Sequence, residues 1–289
     1  MSVSMLAQLL VSGLCNSFIL LLASLGLVII LGYMKVVNLA HTEMLMVGAY
    51  LCYYSYKVAG LPFILCLLIA FAASFLFGML VERTVIRHFY GKASETLLAT
   101  YAISILLKQL ALLLFGRDYK QVDYPITSGF SVGPVYVEGY KLALIGIAVL
   151  ALLCTLFFIN RTKLGRMIRA TTQNRSMTEC LGIDTRKVDT VTFAWGMGLA
   201  GLAGAAIAPL SAVTYSLGAS WLTNTFMNVV MGGVSSLVGT LVSSAIIQES
   251  ISVLSGFSDS VTAQIVVLVF VVVIVRLRPQ GLISSRERR

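Results

Sequence analysis

Long apolar runs separated by short polar stretches set the pattern of this chain. The runs fall near 8–31, 36–54, 61–81, 97–115 and 141–159, then at 189–212, an interrupted 221–254, and 262–277. Each uninterrupted run is about 19 to 24 residues long. At about 1.5 Å per helical residue, that crosses the roughly 30 Å of hydrocarbon in a bilayer. Residues 1–34 contain no Asp, Glu, Lys or Arg, and neither do residues 190–248. A charge at the bilayer centre costs on the order of 3 kcal/mol, so such gaps are what spanning helices require. The pattern predicts an all-α integral membrane fold. It is a polytopic bundle of about 8 to 9 transmembrane segments, including broken or re-entrant helices, in one domain over 1–289.

The main exception to the apolar pattern is a basic island at 160–189, with seven Lys/Arg against three Asp/Glu. Thr171 to Leu181 can form two to three helical turns, with Gly182 as a C-terminal stop. The island mixes apolar Met167, Ile168, Met177 and Leu181 with Arg166, Arg169, Asn174, Arg175 and Glu179. That mixture suits docking to a cytoplasmic protein; an interfacial helix lying on anionic lipid is the alternative.

Orientation follows from the basic residues. The island and the loop with Arg83, Arg87 and Lys92 fall inside, loop 116–140 and the N-terminus outside. The tail, with Arg276, Arg278, Arg286, Arg288 and Arg289, should also be inside. Three crossings after the island would leave it outside, so 221–254 must pass twice or contain a re-entrant half-helix. Gly232-Gly233, followed by Ser235-Ser236, is the expected break. The two halves share a faint design, a long apolar helix followed by a polar, Met- and Gly-bearing segment (Asn38 to Gly48; Asn224 to Gly233). Paired interruptions of this kind point toward a transport site.

Composition narrows the function classes. The chain is 58% hydrophobic and 11% charged, against about 25% charged for a soluble domain. The net charge of +9 resides in loops and tail, so nucleic acid is not expected as a partner. Cys15, Cys52, Cys66, Cys154 and Cys180 are scattered, with no C-x-x-C, and read as small apolar residues. No phosphate-binding G-x-x-x-x-G-K-[ST] and no H-E-x-x-H occur, so no catalytic residue, bound cofactor or metal is expected. An intramembrane serine enzyme would need Ser235 paired with His41.

Polar residues within spans are the candidate pathway groups. Asn38, His41 and Thr42 share one helical face, with Glu43 about 100° away from Thr42. Asn224 and Asn228 share another face. Each could line a pathway or brace broken helices, and the sequence leaves both open. Gly196, Gly198, Gly201 and Gly204 are spaced for close helix packing.

Several stretches together carry a family resemblance. They are Asn38-Leu39-Ala40-His41 through Met46-Val47-Gly48-Ala49-Tyr50, Arg169-Ala170 to Leu181-Gly182-Ile183, Val230-Met231-Gly232-Gly233, and Arg278-Pro279-Gln280-Gly281-Leu282. Through them the chain resembles the permease subunits of ABC importers for branched-chain amino acids and urea. One departure is Thr42, where the family commonly has glycine. Leu97-Leu98-Ala99-Thr100-Tyr101, Thr172-Gln173-Asn174-Arg175 and Phe226-Met227-Asn228-Val229-Val230 look closer to the urea branch. The resemblance implies an importer subunit for urea or a short amide, with branched-chain amino acids as the alternative.

The same resemblance implies a bacterial cytoplasmic membrane and a homologous second permease subunit. It also implies an extracytoplasmic solute-binding protein and two ATPase subunits that hold ATP and Mg. The island 160–189 would then be the coupling loop, through Arg166, Arg169, Asn174, Arg175, Glu179 and Gly182. A standalone secondary transporter is the remaining reading; Glu43 is its first mid-span acidic candidate, ahead of Glu249.

Overall fold

The computed structural model describes residues 3–132 and 135–283. Helix α1 (Val3–Ile29) runs into a π-helical turn, Ile30–Met34. Helix α2 (Glu43–Cys52) also ends in a π-helical turn, Tyr53–Val58. Then come α3 (Phe63–Thr84), a 3-10 turn (Ile86–Phe89) and α4 (Ala93–Phe115). A small antiparallel hairpin of β1 (Gly129–Val132) and β2 (Val135–Glu138) leads into α5 (Gly139–Arg161). The island folds as α6 (Lys163–Gln173) and α7 (Arg175–Cys180). The second half is α8 (Thr185–Ile207), α9 (Leu217–Gly232), α10 (Leu237–Ser255) and α11 (Ser260–Leu277).

Seven of the described helices are long and apolar enough to cross a membrane: α1, α3, α4, α5, α8, α10 and α11. The shorter α2 and α9 supply the broken segments anticipated from the sequence. The architecture is that of an all-α polytopic membrane protein.

Helices α1 and α8 form the centre. In their most apolar stretches, 78% and 83% of residues are buried, against 17–39% for the other five long helices. They cross at a pair of glycines. A Cβ on Gly26 would lie 2.0 Å from the Gly196 carbonyl oxygen, and one on Gly196 2.7 Å from that of Gly26. Around this crossing the halves exchange partners. Helix α3 packs on α8 while α10 packs on α1, and α2 lies against α8 as α9 lies against α1. The Thr172 hydroxyl donates to the Tyr33 carbonyl at 2.9 Å, so α1 ends at the island, where α8 begins. The faint echo between the halves is therefore an inverted structural repeat.

The expected break in 221–254 is present. Helix α9 ends at Gly232, Gly233 takes φ +103°, and α10 starts at Leu237 with the Ser236 hydroxyl accepting from the Gly239 N–H at 2.9 Å. After α11 the chain turns back through Gly281 (φ +81°). The N–H groups of Leu282 and Ile283 reach the carbonyls of Met231 and Gly232 at 2.8 and 3.3 Å, satisfying orphan acceptors at the end of α9. A Cβ on Gly32, beside the island contact at Tyr33, would lie 2.5 Å from the Val234 carbonyl oxygen. The segment 278–283 and the island thus occupy the same end of the bundle, which resolves the parity conflict. Arg286, Arg288 and Arg289 lie outside the described residues.

Two predicted boundaries need correction. The second span does not start at 36. Lys35 adopts a left-handed conformation (φ 56°) and the chain turns before α2 begins at Glu43. Thr171 to Leu181 is not one helix. Asn174 is extended (φ −153°, ψ 99°) and splits the island, its side chain accepting from the Met177 N–H at 3.0 Å as the cap of α7. Gly182 does end the segment, at φ +77°.

Candidate functional site

Polar groups predicted in the first half converge where the chain re-enters the bundle. The Thr100 hydroxyl donates to the Val37 carbonyl at 3.3 Å and accepts from the Leu39 N–H at 3.2 Å, tying this segment to α4. Asn38 accepts from the Ala40 N–H at 3.0 Å and directs its amide to the Met197 sulfur at 3.3 Å. His41 places Nε2 3.2 Å from the Ala23 carbonyl oxygen. Asn38, His41, Thr42 and Glu43 are all essentially fully buried. Thr42 takes ordinary right-handed geometry (φ −73°, ψ −19°), so a side chain is tolerated where glycine was expected. Its hydroxyl has no hydrogen-bond partner among the described residues.

Glu43 is 1% exposed. Its Oε1 accepts from the Ser104 hydroxyl at 3.0 Å and lies 3.2 Å from Lys108 Nζ, both on α4. Its Oε2 has no hydrogen bond and faces Gly218, where a Cβ would come within 2.5 Å. Gly218 also abuts the Thr42 carbonyl. The starts of the two short helices, α2 and α9, therefore meet inside the bundle. Sequence reasoning missed Lys108 and Ser104; the available signal was a lone lysine within the apolar run 97–115.

On α9, Asn228 donates to the Ser24 hydroxyl at 3.0 Å. Its backbone carbonyl accepts from Ser243 at 2.7 Å, and its side-chain oxygen takes the same hydroxyl. Asn228 thus ties α9 to α1 and α10. Ser24 follows Ala23, so His41 and Asn228 hold neighbouring residues of α1. Asn224 is apart from this cluster, half-buried on α9. His41 packs beside Gly26 and Ser235 beside Gly32. At about 1.5 Å per residue these glycines are roughly 9 Å apart along α1 and its π-helical turn, so the two do not form a catalytic pair.

The island is clamped to the bundle through Arg175. Its guanidinium lies 2.7 Å from buried Asp189 at the start of α8 and 5.2 Å from the centre of the Tyr90 ring. Tyr90 donates to Glu82 Oε1 at 2.9 Å, and Thr190 donates to Glu82 Oε2 at 2.5 Å. Arg87 stands 3.4 Å from the same carboxylate. Burial, with Asp189 and Glu82 alongside, pushes the Tyr90 phenol well above its ordinary pKa, so it stays a donor. Glu179 lies 3.4 Å from Arg175 and accepts from the Thr185 hydroxyl at 2.6 Å; the Thr185 bond, then Arg175, hold its carboxyl below the usual range.

Arg169 turns back to the Ile159 carbonyl and to Asn160 (3.3 Å), stapling α6 to α5. Arg166 is exposed, as is Asn174. Of the island residues singled out, Arg175 and Glu179 join one network. Glu82, Tyr90, Asp189 and Thr190 were not anticipated as their partners.

The model of the family described as branched-chain amino acid transport system / permease component matches residues 9–277. The chain belongs to this family. The permease is 25% identical to the high-affinity branched-chain amino acid transport system permease protein BraD of Pseudomonas aeruginosa, covering 97% of this chain and 96% of that one. It is 22% identical to the permease protein LivH of the same kind of system in Salmonella typhimurium, over 92% and 91% of the two chains. A probable branched-chain amino acid transport permease protein LivH of Methanocaldococcus jannaschii is 23% identical, over 92% and 89%. No solved structure matches. The permease is a multi-pass membrane transport component and not itself an enzyme. Each of these relatives is named for branched-chain amino acids and none for urea, so the expected urea specificity finds no support in them.

Proposed function

We propose that this permease is the translocating subunit of an ATP-driven importer that carries branched-chain amino acids across the cytoplasmic membrane. The observation that carries this reading is the end-to-end alignment with BraD. The site chemistry agrees with it. A zwitterionic solute benefits from the pairing of buried Glu43 with half-buried Lys108, whereas neutral urea needs only hydrogen bonds.

ATP chemistry belongs to partner subunits in this reading. Two ATPases dock on the island, a second permease completes the pathway, and an extracytoplasmic binding protein delivers the solute. The island offers a suitable face. Exposed Arg166, with Lys163, Met167, Ala170 and Ile183, lines a cavity of about 320 Å³. Met177 and Leu181 beside it are 60% and 73% exposed.

Reconstitution of the importer with its ATPases and binding protein tests the reading. ATP-dependent uptake of L-leucine is expected, with no uptake of urea. Urea uptake without leucine uptake would restore the urea assignment. Leucine flux through the permease without ATPases would favour a secondary transporter.

A further inference from the structure

Between α2 and α4 lies a cavity of about 250 Å³, lined by apolar and aromatic side chains that include Met46, Val47, Tyr50, Leu107, Leu110 and Ala111. Phe115, also in the lining, stacks on Tyr50 at 4.2 Å at one end. At the other end the lining meets the Glu43–Lys108 pair. Glu43 precedes Met46 and Val47 by three and four residues on α2, and Lys108 precedes Ala111 by three on α4. Each charged residue therefore shares a helical face with the cavity wall above it. The result is an apolar chamber with a carboxylate and an ammonium one helical turn beyond its lining.

We infer that Glu43, Lys108 and this chamber form a binding site for an aliphatic α-amino acid, an inference that rests on the amino-acid reading of the importer. The solute's α-ammonium pairs with Glu43, its α-carboxylate with Lys108, and its branched side chain occupies the chamber. The exchange conserves charge pairing. With no solute bound, the two residues neutralise each other at 3.2 Å. With solute bound, each finds an opposite charge, so buried Glu43 is not left unpaired, the costly condition. A purely structural role gives less reason for charges here, since apolar side chains of similar volume often serve stability as well or better. The second oxygen of Glu43, buried without a partner, leaves the carboxylate capacity to accept another donor.

The test uses the complete importer in proteoliposomes, with exposed Cys154 and Cys180 replaced by alanine and Leu110→Cys as a reporter in the chamber wall. L-Leucine should slow thiol labelling at this position at least threefold. Isoamylamine, which lacks the carboxylate, and 4-methylpentanoate, which lacks the ammonium, should not. Val58→Cys, 67% exposed and outside the chamber, should label equally under all conditions. Lys108→Met should abolish the leucine protection. Leucine uptake without protection, or equal protection by all three compounds, would overturn the inference and leave the transport assignment standing. Absence of leucine uptake by the unmodified importer would overturn both.

Discussion

Gly48 and Gly146 are both helical glycines, yet their surroundings differ completely. A Cβ on Gly48 would sit 1.9 Å from the Gly201 carbonyl oxygen, and one on Gly204 1.9 Å from that of Leu45. Helices α2 and α8 touch through bare backbone. Gly146 on α5 has nothing within 4 Å of such an atom. Gly48→Val must force the two backbones apart, and overpacking costs about 1–3 kcal/mol even where side chains can yield. The expected outcome is a thermal unfolding midpoint in detergent about 2–5 °C lower, while Gly146→Val stays within about 1 °C. Equal midpoints would show that α2 and α8 are not in contact. The close-packing role of Gly201 and Gly204 was readable from their spacing. The partner of Glu43 was not, because Lys108 lies 65 residues away in the chain and pairing across helices leaves no periodic trace.

Within the island, Arg175 fixes α7 to two other elements, α8 through Asp189 and the 86–92 turn through Tyr90. Glu82, Tyr90 and Asp189 look unrelated in sequence, isolated polar residues at helix ends; folding brings them together. The split at Asn174 was equally hard to read, since asparagine is tolerated within a helix as well as at its cap. Arg175→Ala strips the cation from Asp189, which is 5% exposed. A buried acceptor losing a charged partner costs on the order of 1–3 kcal/mol, discounted here because Arg175 itself is 40% exposed. In a double-mutant cycle with Asp189→Asn, the two losses in stability should not add: the double variant should unfold close to the Arg175→Ala single. Additive losses would mean that the pair seen in the structure contributes nothing jointly. Arg175→Lys should recover only part of the loss, because lysine keeps the charge but not the planar stack on Tyr90.

At the scale of the whole molecule, span number, the Gly232-Gly233 break and the island were legible, because charge and length alone specify them. The exchange of α3 and α10 between halves was not. In lipid, the side of a helix that faces protein and the side that faces acyl chains are both apolar, so hydrophobic periodicity cannot rank neighbours. Inverted halves carry a consequence for sidedness. The island and segment 278–283 share one end of the bundle, joined through Tyr33, Gly32 and the α9 terminus. The loop after α4 belongs to the other end, where Lys120 pairs with Val213 beyond α8. We propose, from the excess of basic residues in the island, that its end faces the cytoplasm. Single-cysteine reporters at Met177 and Tyr119, 60% and 82% exposed, in the Cys154/Cys180-free background, decide the matter. Met177→Cys should react with an impermeant thiol reagent only from the cytoplasmic face, and Tyr119→Cys only from the outer face. Reaction of both from one face would break the inverted arrangement. Reaction of Met177→Cys from outside would remove the island from reach of any ATPase, and with it the route by which nucleotide hydrolysis could drive this permease.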